Sequence, residues 1–219
     1  HYSIIIPIHN EENSITRLLS ELKIYSKKNQ ILIINDVSTD SSKLLLSKCN
    51  FITLINLEKN FGKGYSITYG LKKAKYDKVL ISDGDLELKT NELKNLMILN
   101  KTKDINCVFG SRFENNIDII SIWDIGNLFF KIIFNLVYKT KLNDVLCCSK
   151  AFYKNDIKLK KIKSQGFNID IELNSVLVQK FNNITTIPLS YKRRNSNEGK
   201  KINLFDGFKI FLQIFLSKK

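Results

Sequence analysis

The stretch VLISDGDLE, residues 79–87, decides the fold class, because a buried-strand pattern ends there in a group of carboxylates. Apolar and small residues lead directly into Asp83, and Asp85 and Glu87 follow at alternate positions. Open α/β sheets bind their ligands at the carboxyl ends of their strands. Carboxylates this close repel one another unless a cation lies between them, which favours a hard divalent ion, Mg²⁺ or Mn²⁺, that also holds a diphosphate. The alternative is a polar turn that caps the next helix.

Strand and helix patterns alternate through the first half of the chain. Short apolar runs separated by helical stretches predict an α/β fold with a mostly parallel, doubly wound sheet. Because the runs are apolar throughout, we expect helices to cover both faces of this sheet. The predicted strands are 2–8, 31–36, 51–57, 78–83 and 105–111, and the predicted helices are 12–26, one from 40, 64–75 and one from 91.

Two segments of the second half, 119–139 and 202–219, have the spacing of amphipathic helices. The first is long enough to span a membrane, but polar residues recur along one side of it, which a spanning segment rarely shows. For each segment the sequence leaves open whether its apolar face packs on the domain core or contacts a bilayer or hydrophobic partner. The polar positions of the first are Asp124, Asn127, Lys131, Asn135 and Lys139.

Composition places the chain among globular proteins and disfavours some classes of function. Its 219 residues, 43% of them hydrophobic, suffice for one large domain with a proper core. The net charge of +14 comes mostly from lysines spread along the chain, since only four of the 35 basic residues are arginines. Aromatic residues are not interleaved with the basic ones, which disfavours nucleic-acid binding. Four cysteines without C-x-x-C spacing favour a reducing, cytoplasmic compartment over disulfides or a zinc site.

Polar residues also follow the earlier strands. PIHNEE (7–12) ends the first strand and offers Asn and Glu side chains that can hydrogen-bond a base or ribose. NDVSTDSS (35–42) ends the second, where Asp36 can accept hydrogen bonds from a nucleotide. In NFGKG (60–64), two glycines let the backbone approach a ligand, and Lys63 adds charge near a helix N-terminus. This is not a Walker loop, and each of these stretches also fits an ordinary helix start.

In this order and spacing, PIHNEE, NDVSTDSS, NFGKGYSITYGLKKA and ISDGDLE resemble the inverting family-2 glycosyltransferases. The later segments are most similar to the dolichyl- and polyprenyl-phosphate glycosyltransferases, in the glucosyl- or mannosyltransferase branch. The likeness therefore spans nearly the whole chain. It continues through VFGSRF (108–113), LNDVLCCSKAF (142–152), GFNIDIEL (166–173) and IPLSYKRRNSNEGKK (187–201).

The resemblance implies a GT-A fold, which is a Rossmann-like α/β domain, over residues 1–201. Within it, residues 1–111 would form the half that binds the nucleotide sugar, and residues 112–201 the half that binds the acceptor. Residues 202–219 would then be an amphipathic C-terminal helix.

The same resemblance gives roles on the donor side to single residues. Asp85 would be the main metal ligand, with Asp83 beside it near the ribose and Glu87 assisting. Two basic residues, Arg194 and Lys200, would close on the phosphates from a loop. The remaining donor contacts would come from Pro7, His9, Glu11, Asp36 and Lys63.

On the acceptor side, the resemblance implies that Arg112 contacts a phosphate. Asp170 and Glu172 fall where the family has an acidic pair, with a catalytic or orienting role. A phosphate monoester is already largely dianionic at pH 7 and needs positioning more than a base. A sugar hydroxyl as acceptor would instead need one of these two carboxylates to take its proton.

The sequence departs from the family pattern in three places. The usual Asp-Asp-Gly-Ser reads Asn-Asp-Val-Ser at 35–38, and the usual Gly-aromatic-basic triplet after Asp144 reads Cys-Ser-Lys at 148–150. His9 stands where an aromatic residue commonly stacks on the base. These departures bear on the identity of the nucleotide. The GKG and GSR forms are more similar to the glucosyltransferase side of the family, which favours UDP-glucose over GDP-mannose as the donor.

The resulting hypothesis is a metal-dependent inverting enzyme that transfers a sugar from a nucleotide diphosphate sugar to a polyprenyl or dolichyl phosphate. We expect it at the cytoplasmic face of a membrane, in peripheral contact through its amphipathic segments. The nearest alternative is the same fold with a glycan hydroxyl as acceptor. A nucleotidyltransferase, an inactive nucleotide-sugar binder and a nucleic-acid binder are less favoured by the motifs.

Overall fold

The computed structural model of the protein describes residues 1–113, 121–194 and 204–218. Its strands are β1 (Ser3–Ile8), β2 (Gln30–Asn35), β3 (Thr53–Asn56), β4 (Lys78–Ile81), β5 (Cys107–Ser111), β6 (Lys150–Tyr153) and β7 (Thr185–Pro188). In the described residues they form one sheet in the order β3-β2-β1-β4-β6-β5-β7.

The sheet is mostly parallel, as predicted, with one strand reversed. β1 pairs in parallel with β2 and with β4, β2 pairs in parallel with β3, and β5 pairs in parallel with β7. β6 is antiparallel to both of its neighbours, β4 and β5. Because β6 runs the other way, its first residue, Lys150, pairs with Ile81 at the end of β4. The reversed strand thus begins at the edge where the acidic loop follows β4.

The α-helices of the described residues cover both faces of the sheet. Consecutive side chains of β1 point to opposite faces, so Ile5 belongs to one core and Ile4 and Ile6 to the other. This explains why the strands are apolar throughout. Helices α1 (Glu12–Leu22) and α2 (Ser42–Ser47) pack on one face, and α3 (Lys63–Lys73), α4 (Ile122–Tyr138), α5 (Ile169–Lys180) and α6 (Leu204–Leu216) on the other.

The prediction of an α-helix from residue 91 is wrong, because Thr90–Leu96 forms a 3₁₀-helix. Its two leucines, Leu93 and Leu96, are three residues apart and both are buried, and the same spacing continues to buried Leu99 after the helix. That spacing matches the three residues per turn of a 3₁₀-helix rather than the 3.6 of an α-helix. The first predicted helix also ends early, at Leu22, and continues as a short 3₁₀ turn.

Both predicted amphipathic helices form, and the polar side of α4 faces the protein. Asp124 is buried. Asn135 holds the turn after the helix, since its side-chain oxygen accepts from Leu142 N at 2.9 Å and its Nδ2 donates to Leu142 O at 2.9 Å. Phe134 is also buried in the core, whereas a second set of apolar residues of α4 faces outward. Its residues, between 49% and 74% exposed, are Ile122, Ile125, Phe129, Ile132 and Leu136.

Helix α6 divides its apolar residues between the core and the surface. Ile210 and Ile214 are buried in the core shared with α4 and α5. The Tyr138 hydroxyl of α4 donates to Ile214 O at 2.7 Å and fastens the two helices together. One face of each helix therefore packs on the core, while another apolar face of each is exposed. The exposed apolar residues of α6 are Phe205, Phe208, Leu212, Phe215 and Leu216.

No helix in the described part of the chain is long and apolar enough to cross a membrane.

Candidate active site

A cavity of about 590 Å³ lies at the carboxyl ends of β1, β2 and β4 and extends to α4 and α6. Among the described residues predicted for the site, Glu172 alone does not line it. Lys200 lies outside the described residues. The predicted residues on the cavity wall are Pro7, His9, Glu11, Asp36, Lys63, Asp83, Asp85, Glu87, Arg112, Asp170 and Arg194.

The acidic loop after β4 brings three carboxylates together close to β1. The amide of Glu87 donates to Asp85 Oδ1 at 3.1 Å. A side chain at Gly84 would overlap Ile8, so only glycine lets the loop lie this close to β1. Burial, followed by repulsion from Asp83 and Glu87, raises the pKa of Asp85 to about 7. A nearby cation would favour the ionised form of this carboxylate and relieve the repulsion.

This loop fits a divalent cation that is shared with a diphosphate. Within residues 1–113, 121–194 and 204–218, no group of three or more His, Cys, Asp or Glu residues is arranged to hold a metal ion by itself. Mg²⁺ commonly takes one or two carboxylates and completes its shell with substrate phosphates and water, so a full protein cage is not required. The raised pKa of Asp85 is the observation that supports such a partial site at Asp85 and Asp83.

Behind the acidic loop, two lysines enclose Asp170. Lys63 Nζ lies 2.9 Å from Asp83 Oδ1 and 3.2 Å from Asp170 Oδ2, and Lys150 Nζ lies 3.2 Å from Asp170 Oδ1. Burial alone would raise the pKa of Asp170, but the two ammonium groups outweigh burial and hold that pKa below its usual range. Asp170 is therefore an ionised, paired carboxylate and a poor general base at neutral pH.

Glu172 orients a loop instead of reaching the cavity. Its carboxylate accepts hydrogen bonds from the amides of Lys163 at 3.0 Å and Ser164 at 2.7 Å. In the same loop, Gln165 O accepts from Gly64 N at 2.6 Å, and a side chain at Gly64 would overlap Ser164 O. Gly64 thus serves contact with the chain's own loop rather than the approach of a ligand that the sequence predicted. Of the two roles predicted for Glu172, the geometry favours the orienting one.

Asp36 fixes the loop before α3 as well as lining the cavity. Its two carboxylate oxygens accept from Phe61 N at 2.9 Å and from Gly62 N at 2.8 Å. His9 Nδ1 lies 2.7 Å from the backbone oxygen of Asp36, which holds the imidazole against the same wall. The ends of β1 and β2 and the start of α3 therefore form one connected wall of the cavity.

Backbone strain concentrates at this edge of the sheet. Asn10, Val37 and Leu86, in the loops after β1, β2 and β4, have positive φ angles of 50°, 54° and 62°. For a residue other than glycine this left-handed region costs about 1–2 kcal/mol, and Val37 stands where the resembling family usually has glycine. Strained residues tend to cluster at functional sites, because the surrounding structure must hold them in place.

Arg194 joins the loops that follow β1 and β4. Its Nη2 donates to Glu11 Oε2 at 2.6 Å, and its Nε donates to Asp85 O at 2.9 Å. Its backbone amide donates to Glu87 Oε1 at 3.0 Å. The segment after β7 is thereby fastened to the acidic loop, and the guanidinium lies beside the carboxylates that the sequence assigns to the metal.

Arg112 reaches the cavity from a fixed, buried pair with Asp144. Nε donates to Asp144 Oδ2 at 2.7 Å, and Nη2 donates to Asp144 Oδ1 at 2.9 Å. Asp144 also accepts from the amides of Leu146 and Cys147, both at 3.1 Å. Burial alone would raise the pKa of Asp144, but the guanidinium outweighs burial and keeps that pKa low. The pair holds one edge of the Arg112 guanidinium against the protein.

Arg193 and Tyr191 also line the cavity, and neither was given a role of its own, although Arg193 lies in a segment that the resemblance links to phosphate binding. Arg193 Nη1 donates to Asp124 Oδ2 at 3.0 Å and lies 2.6 Å from the Ser121 hydroxyl, at the start of α4. The guanidinium carbons of Arg112 and Arg193 lie 5.4 Å and 5.9 Å from the centre of the Tyr191 ring. The available signal was the rarity of arginine, since the chain has four and three of them line this cavity.

Comparison with known proteins identifies a family and several relatives of this chain. The Glycosyl transferase family 2 profile matches residues 3–158. A dolichyl-phosphate beta-glucosyltransferase of Trichomonas vaginalis is 30% identical over 135 residues, which are 52% of this chain and 41% of that protein. A dodecaprenyl-phosphate galacturonate synthase of Rhizobium johnstonii is 22% identical over 172 residues, which are 74% of this chain and 51% of that protein. The chain thus spans about half the length, or less, of these two relatives.

The fold is also found among solved structures. Glucosyl-3-phosphoglycerate synthase of Mycobacterium tuberculosis, crystallised with Mn²⁺, UDP and glucosyl-3-phosphoglycerate, has a TM-score of 0.76 at 11% identity. The likeness covers 99% of this chain and 79% of that one. It confirms the predicted GT-A fold. Since the family profile extends from β1 past β6 and covers well over half of the residues, the chain belongs to glycosyl transferase family 2.

Proposed function

We propose that the chain carries the catalytic domain of an inverting transferase that moves a sugar from a nucleotide diphosphate sugar to a polyprenyl phosphate. The observation that carries this proposal is the environment of the two carboxylates predicted as alternative bases. Asp170 is held between two ammonium groups, and Glu172 is occupied by loop amides. A sugar hydroxyl needs a base, whereas a phosphate dianion does not. The dolichyl- and dodecaprenyl-phosphate activities named for two relatives support the same acceptor class.

On the donor side, Asp83 and Asp85 would hold Mg²⁺ or Mn²⁺ together with the diphosphate. When bound, the ion would neutralise the charge that grows on the leaving diphosphate as the sugar–oxygen bond breaks. Asp36 and Glu11 line the wall where ribose and base would lie, and Arg194 adds hydrogen-bond donors between them and the acidic loop. We favour UDP-glucose over GDP-mannose as the donor.

On the acceptor side, the lipid would enter between α4 and α6. Trp123, Phe130 and Ile210 of these helices line that end of the cavity. Both helices also carry exposed apolar residues, and large exposed apolar patches mark contacts with protein or membrane. Exposed Lys139, directly after α4, and Lys209, on α6, are basic, and each basic residue near anionic lipid contributes about 1 kcal/mol of attraction. Peripheral contact with a bilayer would place the acceptor phosphate near Arg112.

A transfer assay tests this proposal. The purified protein is incubated with Mn²⁺, citronellyl phosphate and one radiolabelled donor at a time: UDP-glucose, UDP-N-acetylglucosamine or GDP-mannose. Label is then counted in an organic extract. We expect lipid-linked label with one donor, none with citronellol in place of its phosphate, and none with the Asp85→Ala variant.

The outcomes separate the acceptor classes. Transfer to citronellol or to a glycan, without transfer to citronellyl phosphate, would favour a hydroxyl acceptor and contradict the proposal of a lipid-phosphate acceptor. Absence of transfer from all three donors to any acceptor would contradict an active transferase.

A further inference from the structure

We propose that Arg193 binds the acceptor phosphate, in a subsite that it forms with Arg112 over the ring of Tyr191. The inference rests on the proposed function, because it concerns the phosphate of the lipid acceptor. It adds a residue that selects a phosphate-bearing acceptor over an alcohol.

Position supports this role, since consecutive residues of the segment after β7 face the two substrates. Arg194 contacts Glu11 and the backbone of Asp85, which belong to the donor side. Arg193 instead contacts Asp124 in the first turn of α4, the helix that lines the acceptor side. A group bound at Arg193 would therefore lie between the nucleotide and the apolar end of the cavity, where the attacking phosphate oxygen must be.

Chemistry supports it as well. A guanidinium offers a planar fork of donors that matches phosphate oxygens, which a lysine cannot reproduce. Arg112 and Arg193 present two such forks over one aromatic ring, with their guanidinium carbons 5.4 Å and 5.9 Å from the ring centre. In a chain that otherwise uses lysine for its positive charge, two arginines stacked at the junction of the two ends of a cavity indicate recognition of an oxyanion.

The two arginines differ in how firmly their present partners hold them. Asp144 is fixed around Arg112, because it also accepts from the Arg112 amide at 3.0 Å and from two further amides. Asp124 has other partners besides Arg193, since it accepts from Ser121 N and from the Ser121 hydroxyl, each at 2.9 Å, in the capping box of α4. If Arg193 turns to an incoming phosphate, Asp124 Oδ2 keeps both Ser121 hydrogen bonds, whereas Oδ1 loses its contact with Arg193 Nη2. The Arg193 side chain is also more exposed than that of Arg112, 28% against 14%, so we assign the fixed donor to Arg112 and the exchangeable one to Arg193.

Two substitutions with opposite expected signs test the assignment. Citronellyl phosphate is titrated calorimetrically into the full chain in the presence of UDP and Mn²⁺. Arg193→Gln removes the charged fork and should weaken binding about tenfold or more. Asp124→Asn keeps the helix cap through its side-chain oxygen but removes the charge that competes with phosphate, so binding should be at least as tight as in the wild type. The affinity for UDP should stay unchanged in both variants.

A purely structural role for Arg193 predicts a different pattern. If Arg193 only holds α4 through Asp124, both substitutions break the same contact and should weaken binding alike. Equal losses, or no loss for Arg193→Gln, would overturn the inference. Arg193→Lys retains the charge without the fork and should show an intermediate loss, which keeps the test open if the Gln variant folds poorly. A wild type that binds citronellyl phosphate no better than citronellol would contradict the proposed function itself, and this subsite with it.

Discussion

Replacing Asp85 by Asn should stabilise the protein at pH 8 when no metal is present. In the folded chain, burial and the charges of Asp83 and Glu87 raise the pKa of Asp85 from 3.8 to about 7. That difference corresponds to about 4 kcal/mol in favour of the protonated form. Because the three carboxylates share the repulsion, we expect the substitution to recover about half of these 4 kcal/mol, which is a gain of about 2 kcal/mol in the free energy of unfolding. The Asn side-chain oxygen can still accept the Glu87 amide, which lies 3.1 Å from Asp85 Oδ1.

The effect should depend on pH in a defined direction. Between pH 3.8 and about pH 7 the folded state binds more protons at Asp85 than the unfolded chain does. The stability contributed by this group therefore falls as pH rises through that window. Asn does not titrate, so the advantage of the variant should be largest at pH 8 and clearly smaller at pH 5.

Urea unfolding in EDTA, at pH 5 and pH 8, measures both expectations. At pH 8 the variant's midpoint should lie about 1 M above that of the wild type. Addition of Mn²⁺ and UDP should raise the midpoint of the wild type and leave that of the variant unchanged. Asp156→Asn is the matched control, because its carboxylate pairs with a half-exposed Lys101 at 3.2 Å and its loss should change stability by less than about 0.5 kcal/mol. A variant less stable than the wild type at pH 8, or equally stabilised at both pH values, would refute the reasoning.

Three further substitutions test other parts of the structure by urea unfolding. Val37→Gly should stabilise the protein by about 1 kcal/mol, because Val37 has a φ of 54°, and a loss of stability would show that the left-handed loop is not strained. Glu172→Ala should cost about 2 kcal/mol by leaving the loop amides at 163 and 164 without their acceptor, and an effect confined to catalysis would argue for a chemical role. Arg112→Ala should cost about 3–5 kcal/mol near neutral pH, because Asp144 stays buried and charged, and less as that carboxylate becomes protonated at low pH. A pH-independent loss for Arg112→Ala would indicate lost packing instead.

The first half of the fold could be predicted because its signals are local. Each strand of β1 to β4 is an apolar run bounded by polar turn residues, and parallel pairing follows from the alternation with helices. The position of β6 in the sheet could not be predicted from local patterns, because β6 pairs with β4, which lies some 70 residues earlier in the chain. The segment 90–96 was predicted as an α-helix but forms a 3₁₀-helix. Over so few residues, leucines three positions apart fit the period of either kind of helix.

The sequence could predict which residues meet at the candidate site, but not which charged side chains pair with each other there. Motifs at the ends of neighbouring parallel strands must meet at one edge, so their convergence follows from the fold class. The partners of each charge do not follow from it. Asp170 changes from a candidate base to a paired carboxylate only because Lys63 and Lys150 reach it from distant segments. Arg193 lies in a segment that the resemblance links to phosphate binding, but its contacts with Asp124 and with the Tyr191 ring are found only in the structure.

The central claim, that the acidic loop after β4 binds a metal ion together with a nucleotide diphosphate, is tested most directly by calorimetric titration. UDP and GDP, and then their sugar conjugates, are titrated with and without Mn²⁺ into the wild type and the Asp85→Ala variant. We expect one nucleotide series to bind the wild type in a metal-dependent way, and that binding to disappear in the variant. Failure of the wild type to bind any of these nucleotides in the presence of Mn²⁺ would contradict the claim.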